Sequence, residues 1–348
     1  MRLLLTLLLA GVMLASASAQ TPTTLTIATG GVGGVYYPIG VGLGGMIERH
    51  VEGYTGMAEV TGASVENMRL IAGQDSDMAL ALADTVVHAY SGQGVFADEP
   101  MTALRALGSV YPNAIQIVTL EGSGIDSLQD LKGRRVSVGA EGSGTEVSAR
   151  SLLQANGISY SDLGTAERLN FTETAEALRD GDIDVGFWSV GPPTSSITEL
   201  ANERAISLLN LSEQEMERAI AAEPTLAPHR VLAGTYQGVN EQTLTLGTPN
   251  VLVVNQAMSE DLAYNLTKTL FERVRELRNV HSVANSTTPT FSVGATPIPM
   301  HPGAARYYEE LGFSLRDDLQ QGSASSAQPT WSCRVVTWVA TLFGCDCV

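Results

Sequence analysis

The stretch from Leu25 to His50 constrains the fold more than any other in the chain. A short apolar run, Leu25-Thr26-Ile27-Ala28-Thr29, leads into Gly30-Gly31-Val32-Gly33-Gly34. Val35-Tyr36-Tyr37-Pro38 then opens a helical pattern that reaches about His50. Strand, glycine turn and helix N-terminus in that order start an α/β unit, because a strand-like run gives way to a helical period across a glycine break. The first-turn N–H groups of such a helix have no partner inside it, and the helix dipole adds positive potential at the same place. A small anionic group is the guest that this corner favours.

The same design recurs. Asp130 to Arg135 reads as a turn, Val136-Ser137-Val138 as a strand, Gly139 to Gly144 as a second glycine-rich bend, and Thr145 to Asn156 as a helix. Strand-like and helical runs alternate through most of the remaining sequence. Strands are expected at 58–60, 78–83, 104–107, 115–120, 183–189 and 251–255. Helices are expected at 64–72 with Ser64 as N-cap, at 84–90 with Asp84 as cap, at 171–179, from Pro193 to about Asn202, and at 259–277, the longest. The alternation predicts an α/β fold of two hinged lobes, each a mostly parallel sheet flanked by helices. Chain crossings near 119–122 and 248–250 would assign residues 20–119 and 250–313 to one lobe and 120–249 to the other.

The N-terminus reads as an export signal. Met1-Arg2 is a minimal basic start, Leu3 to Leu14 is apolar, and Ala17-Ser18-Ala19 fits small-residue cleavage before Gln20. The apolar run is short of the roughly 18 residues that span a bilayer. Residues 1–19 are therefore expected to be removed, leaving a periplasmic protein. A formal charge of −17 argues against nucleic acid or an anionic membrane as partner. It also means that an anionic ligand must be captured locally, by backbone donors. The three cysteines, Cys333, Cys345 and Cys347, lie at the far C-terminal end, so no disulfide framework is expected in the core. Residues 314–348 read as a linker and an apolar, cysteine-containing tail.

Enzyme readings find little support. No serine sits in a Gly-x-Ser-x-Gly elbow, the five histidines are scattered without a metal-binding pair, and the glycine loops lack both the P-loop ending and the dinucleotide spacing. No catalytic residue, metal or cofactor is expected.

Several segments resemble one family. Ile27-Ala28-Thr29-Gly30 through Tyr36-Tyr37-Pro38, Thr61-Gly62-Ala63-Ser64-Val65-Glu66-Asn67, and Gly139-Ala140-Glu141-Gly142-Ser143-Gly144-Thr145-Glu146 are joined by Gly234-Thr235-Tyr236-Gln237-Gly238 and Pro297-Ile298-Pro299-Met300-His301-Pro302-Gly303. In this order they are similar to the TAXI-type solute receptors of TRAP transporters, over roughly residues 24 to 313. The resemblance implies an extracytoplasmic receptor of the two-lobe type that closes on a small organic acid or amino acid, such as glutamate, glutamine or a dicarboxylate. It further implies delivery of that ligand to a membrane permease. Three departures stand out: Gly31, Val32 and Gly33 replace hydroxyl residues, Leu82 replaces a glutamine, and the tail lies outside the pattern. The first two suggest a ligand less polar than glutamate.

The candidate ligand-binding residues follow from the glycine turns and the resemblance. Gly33 and Gly34 face Gly144-Thr145 across the expected cleft, with Ser143 and Thr145 adding hydroxyls and Thr29 ending the first strand. Tyr36 is expected to face the ligand, whereas Tyr37 is as readily a core aromatic. Ser64 is either a helix cap or a ligand contact, Asn67 lies one turn on, and Asp84 is either a cap or an acceptor for a ligand ammonium. Ser189 and Gly191 close a strand edge where Trp188 reads as packing. Tyr236 comes from the resemblance alone. A sensing module for a membrane kinase, or an exported α/β enzyme, are the alternatives to transport.

Overall fold

The computed structural model describes residues 21–320. The expected signal segment and the cysteine-containing tail lie outside the described residues. Ten strands form one sheet: β1 Thr23–Ala28, β2 Tyr54–Glu59, β3 Met78–Leu82, β4 Leu104–Leu120, β5 Arg135–Ser137, β6 Thr165–Glu167, β7 Val185–Val190, β8 Ile206–Leu208, β9 Ala227–Val231 and β10 Thr243–Asn255. Their order is β2-β1-β3-β10-β4-β7-β5-β6, with β8 on β4 and β9 on β10. Pairings β1–β2, β1–β3, β5–β6 and β5–β7 are parallel, while β10 runs antiparallel to β3 and β4, and β4 antiparallel to β7. The helices are α1 Tyr36–His50, α2 Ser64–Gly73, α3 Ala83–Ser91, α4 Gly144–Ala155, α5 Phe171–Asp180, α6 Ser195–Glu203, α7 Glu213–Ala222, α8 Glu260–Glu272, α9 Val274–Val280, α10 Pro289–Ala295, α11 Pro302–Glu310 and α12 Asp317–Gln320.

Strand alternation makes the sheet the middle of three layers. Met78 and Leu80 of β3 join the core containing Ile39 and Leu43 of α1, while Ala79 and Ala81 pack with Met68 and Ile71 of α2. On the far side of β4, Ile117, Val185 and Phe187 pack with Leu152 and Leu153 of α4. Their neighbours Val118, Trp188 and Val190 join Leu178 of α5 and Ile197 of α6 in the same core as α1. Strands covered on both faces read as continuous apolar runs, as β3 and β7 do.

Three expectations need correction. The runs at 104–107 and 115–120 are one strand, because β4 continues unbroken through Tyr111-Pro112-Asn113. The helix expected at 259–277 is divided at Arg273 into α8 and α9, so that α1 is the longest. Folded structure continues past Phe313: Leu315 and Leu319 are buried, and the Met300 N–H donates to the Leu319 carbonyl at 2.9 Å.

The two longest strands, β4 and β10, bind both halves of the sheet together, and their pairing has a gap. Pro112 lies opposite Pro249, so neither residue has an N–H for the ladder. Asparagine side chains fill in. Asn250 Nδ2 donates to the Tyr111 carbonyl at 2.9 Å and to Asn113 Oδ1 at 2.7 Å, while Asn250 Oδ1 accepts from the Tyr36 hydroxyl at 2.5 Å. Asn113 Nδ2 reaches the Ser189 carbonyl on β7 at 2.9 Å. One buried chain of hydrogen bonds thus runs from α1 through both long strands to β7.

Away from the sheet, the halves touch through polar contacts. The Val65 and Glu66 N–H groups donate to the Gly142 carbonyl, and the Thr194 and Ser195 hydroxyls donate to the Gly33 carbonyl. Ser148 of α4 donates to Asp84 Oδ2 of α3 at 2.6 Å, and His88 pairs with Glu223 at 2.9 Å. Asp84 is fully buried. Burial first, and the nearby Glu223 charge second, push its pKa up to about 6, against the bonds from Ser148 and Thr85. The His88 pKa is raised, chiefly by its bond to Glu223. Burial alone would raise Glu223, but its bond from His88 holds it below the usual range.

Asn250→Ala should cost about 2–4 kcal/mol in urea denaturation, because it removes the acceptor of the Tyr36 hydroxyl and the donor to the Tyr111 carbonyl and Asn113 Oδ1 in the core. A loss below about 1 kcal/mol would show that this chain of bonds is dispensable. Asp84 has a folded-state pKa above its ordinary value, so its favourable contribution is complete below about pH 4 and disappears as the pH rises through about 6. Asp84→Asn keeps the bonding geometry without the charge. It should raise Tm at pH 8 by roughly 2–4 °C, with the two melting curves converging below about pH 4. A difference independent of pH would contradict this assignment.

Candidate functional site

Where the two glycine turns meet, the structure forms a partly open cavity of about 280 Å³. One side is formed by residues 30–31, 33–36 and 60–64 with Leu82. The other is formed by Ala140, residues 143–145, Asn170, Phe171, Ser189 and Val190, with Asn113 of β4 between them. Glycine is required here by close approach. A Cβ on Gly144 would stand 2.6 Å from Ser64 Oγ and 2.7 Å from Leu82 Cδ1, and one on Gly34 would stand 3.1 Å from the Phe171 ring. The halves meet at these surfaces because backbone replaces side chain.

Several helix N-termini approach the cavity, but their donors are not equally available. In α2, the Val65 and Glu66 N–H groups are taken by the Gly142 carbonyl. In α5, the Asn170 side chain accepts from both Thr172 and Glu173. In α1, Pro38 has no N–H, which leaves Tyr36 as the first-turn donor on the cavity wall. In α4, the Ser143 hydroxyl caps Glu146, and Gly144 and Thr145, both on the cavity wall, stand in the first turn where N–H groups have no intrahelical partner. The positive end of α4 therefore faces the space most directly.

Side-chain polarity around the cavity is neutral. No lining residue carries a formal charge. Val35, Val60, Ala63, Leu82, Phe171 and Val190 supply apolar surface. Burial pushes the Tyr36 hydroxyl far above its ordinary range, so it stays a neutral donor to Asn250. Ser143 donates to the Ala140 carbonyl at 2.6 Å, and Thr145 Oγ1 accepts from the Ser189 N–H at 3.3 Å. The Ser189 hydroxyl is different. The residue is 6 % exposed and lines the cavity, yet its Oγ has no hydrogen-bond partner among the described residues.

Of the residues singled out from sequence, Gly33, Gly34, Tyr36, Ser64, Ser143, Thr145 and Ser189 all line this cavity. Ser64 does so without capping α2: Ala63 holds the cap position, and Ser64 Oγ accepts from the Leu82 N–H at 3.1 Å. The remaining five are placed elsewhere. Thr29 is buried and donates to the Glu59 carbonyl at 2.5 Å. Asn67 Nδ2 donates to the carbonyls of Thr29 and Leu80 at 2.7 and 2.8 Å, tying strand ends together. Asp84 neither caps α3 nor reaches the cavity; it is held by Thr85 and Ser148. Gly191 packs against Val283, and the Tyr236 hydroxyl donates to Gln116 Oε1 at 2.7 Å. Each of these five has a structural partner that a linear reading does not show.

Asn113, Phe171 and Val60 were missed. Asn113 carried a usable signal, a polar residue inside what proves to be a buried strand. Phe171 carried none, since its position over Gly34 and its stacking with Trp188, at 6.1 Å between ring centroids, arise only from tertiary packing. Trp188 itself is fully buried and donates to Ser196 Oγ at 3.1 Å.

Among solved structures, a protein of Bordetella bronchiseptica RB50 is similar over 93 % of this chain and 99 % of its own, at 16 % identity and a TM-score of 0.50. The alkanesulfonate-binding protein SsuA of Xanthomonas axonopodis pv. citri, solved with MOPS, covers 94 % of each chain at 16 % identity and a TM-score of 0.45. PhnD1 of Prochlorococcus marinus, solved with methylphosphonate, covers 76 % of this chain and 90 % of its own at 10 % identity and a TM-score of 0.49. The likeness to the Bordetella protein is one of fold alone, an α/β sheet flanked by helices. Residues 27–312 match the NMT1-like family, and the chain belongs to that family.

Proposed function

We propose that this protein is an extracytoplasmic solute receptor that closes two α/β lobes around one small carboxylate-bearing molecule and presents it to a membrane permease. One observation carries the reading: the first turns of α1 and α4, from opposite sides of a cavity of about 280 Å³, both face into it. Backbone donors at helix termini bind an anion without a cationic side chain, which suits a cavity that has none. Each side supplies part of the site, so closure adds affinity that an open state lacks.

The lobes in this reading are residues 20–119 with 250–313, and 120–249. Their hinge lies on β4 and β10, where Pro112 faces Pro249 and the ladder is weakest. The cross-cleft bonds from Thr194, Ser195, Ser148 and His88 then act as contacts of the closed form. Likeness to the TAXI-type receptors supports a permease of the TRAP class and a periplasmic location.

The test is a thermal-shift screen of the purified chain against short organic acids. A ligand at about 100 times its Kd adds roughly 2.7 kcal/mol to folded stability, which raises Tm by several degrees. Gly144→Val fills the space beside Ser64 and Leu82 and should abolish that shift. A shift of undiminished size in Gly144→Val would place the ligand outside this cavity.

A further inference from the structure

The charge and surface of the cavity narrow the ligand beyond a small acid. We infer that the solute is a monoanion with an apolar body and no ammonium group, and that the Ser189 hydroxyl helps to select it. This rests on the receptor reading above.

An amino acid zwitterion needs an acceptor for its ammonium, and in proteins a desolvated cation demands a paired carboxylate. None of the lining residues is acidic. Three carboxylates close by in the fold are engaged elsewhere. Asp84 accepts from Thr85 and Ser148, Glu66 accepts from the Gly62 N–H at 2.5 Å, and Glu146 pairs with Arg150 and Arg168. A dicarboxylate needs a second set of donors at the far end of the cavity. Val60, Ala63 and Leu82 offer hydrocarbon, and the Val65, Glu66, Thr172 and Glu173 N–H groups of α2 and α5 are already bonded. The first-turn donors left free are few, Tyr36 of α1 and Gly144 and Thr145 of α4 on facing sides, which is enough for one anionic group between them. The volume lies at the lower edge of the roughly 300–1,000 Å³ of ligand pockets and suits a small solute.

Ser189 supplies an observation independent of the helix terminus. A buried hydroxyl without a partner is rare, because its desolvation is uncompensated. Ser189 adjoins Thr145 through its own N–H, which donates to Thr145 Oγ1 at 3.3 Å, so the residue stands beside the first turn of α4. A carboxylate there gives that hydroxyl its missing acceptor. Selection then follows from chemistry: the anion is fixed at α4 and Ser189, and the apolar walls reject a second charge.

Isothermal titration of the purified chain with 3-methylbutanoate, leucine, glutamate and succinate tests this. 3-Methylbutanoate should bind at least tenfold tighter than the other three. Leucine is the informative competitor, since it carries the same branched hydrocarbon plus an ammonium. Tighter binding of leucine, glutamate or succinate would overturn the inference and leave the receptor reading standing. No binding by any of the four would overturn both the monoanion and the carboxylate reading. Ser189→Ala should weaken 3-methylbutanoate about tenfold, as expected for a lost bond to a charged group, while leaving the ligand-free Tm unchanged or higher. Unchanged affinity in Ser189→Ala would remove Ser189 from the selection, and a lowered ligand-free Tm would assign it a structural role.

Discussion

The rest of the molecule depends on how β4 and β10 cross from one half of the sheet to the other. Two prolines face each other at that point and remove two ladder donors from a largely buried pair of strands. Asn113 and Asn250 restore the lost bonds from their side chains, and in doing so connect Tyr36 to Ser189. Strand continuity thereby transmits position between the halves, while the proline pair weakens the ladder locally. Buried polar networks of this kind are costly when partly broken and rigid when complete, which suits a joint that must return to one closed geometry.

Closure in turn explains the composition of the cavity. The surfaces that meet are glycine-rich because a Cβ at Gly144 or Gly34 would collide with the opposite side. Small residues bring the start of α4 within reach of Ser64 and Leu82 and leave its N–H groups facing inward. The same closeness excludes long cationic side chains, so in the proposed reading an anion is held by backbone rather than by arginine or lysine. A chain of strongly negative net charge holds its attraction for an anion within this one corner.

The large-scale design was legible in the sequence. Both strand–glycine–helix units appear where the sequence places them, since hydrophobic period and glycine breaks are local signals. What was hidden depends on partners distant in sequence. The apolar runs at 104–107 and 115–120 read as two strands, yet β4 continues through Pro112, and proline opposite proline is tolerated once side-chain amides take over the bonding. Asp84 and Asn67 looked like site residues because each is polar at a strand–helix junction. Their bonds to Ser148 and to the Leu80 carbonyl, supplied by other elements, turn them inward. Tyr236 was placed by likeness alone, and its hydroxyl binds Gln116 instead of facing the cavity. Phe171 shows the converse case, a residue brought to the cavity only by packing against Trp188.

The most direct test of the central claim is a crystal structure of the chain grown with 3-methylbutanoate. The account predicts carboxylate oxygens at about 2.7–3.2 Å from the Gly144 and Thr145 N–H groups and from Ser189 Oγ, with the branched end against Phe171 and Val60. A carboxylate turned away from α4, or a molecule bound outside the cavity, would contradict it.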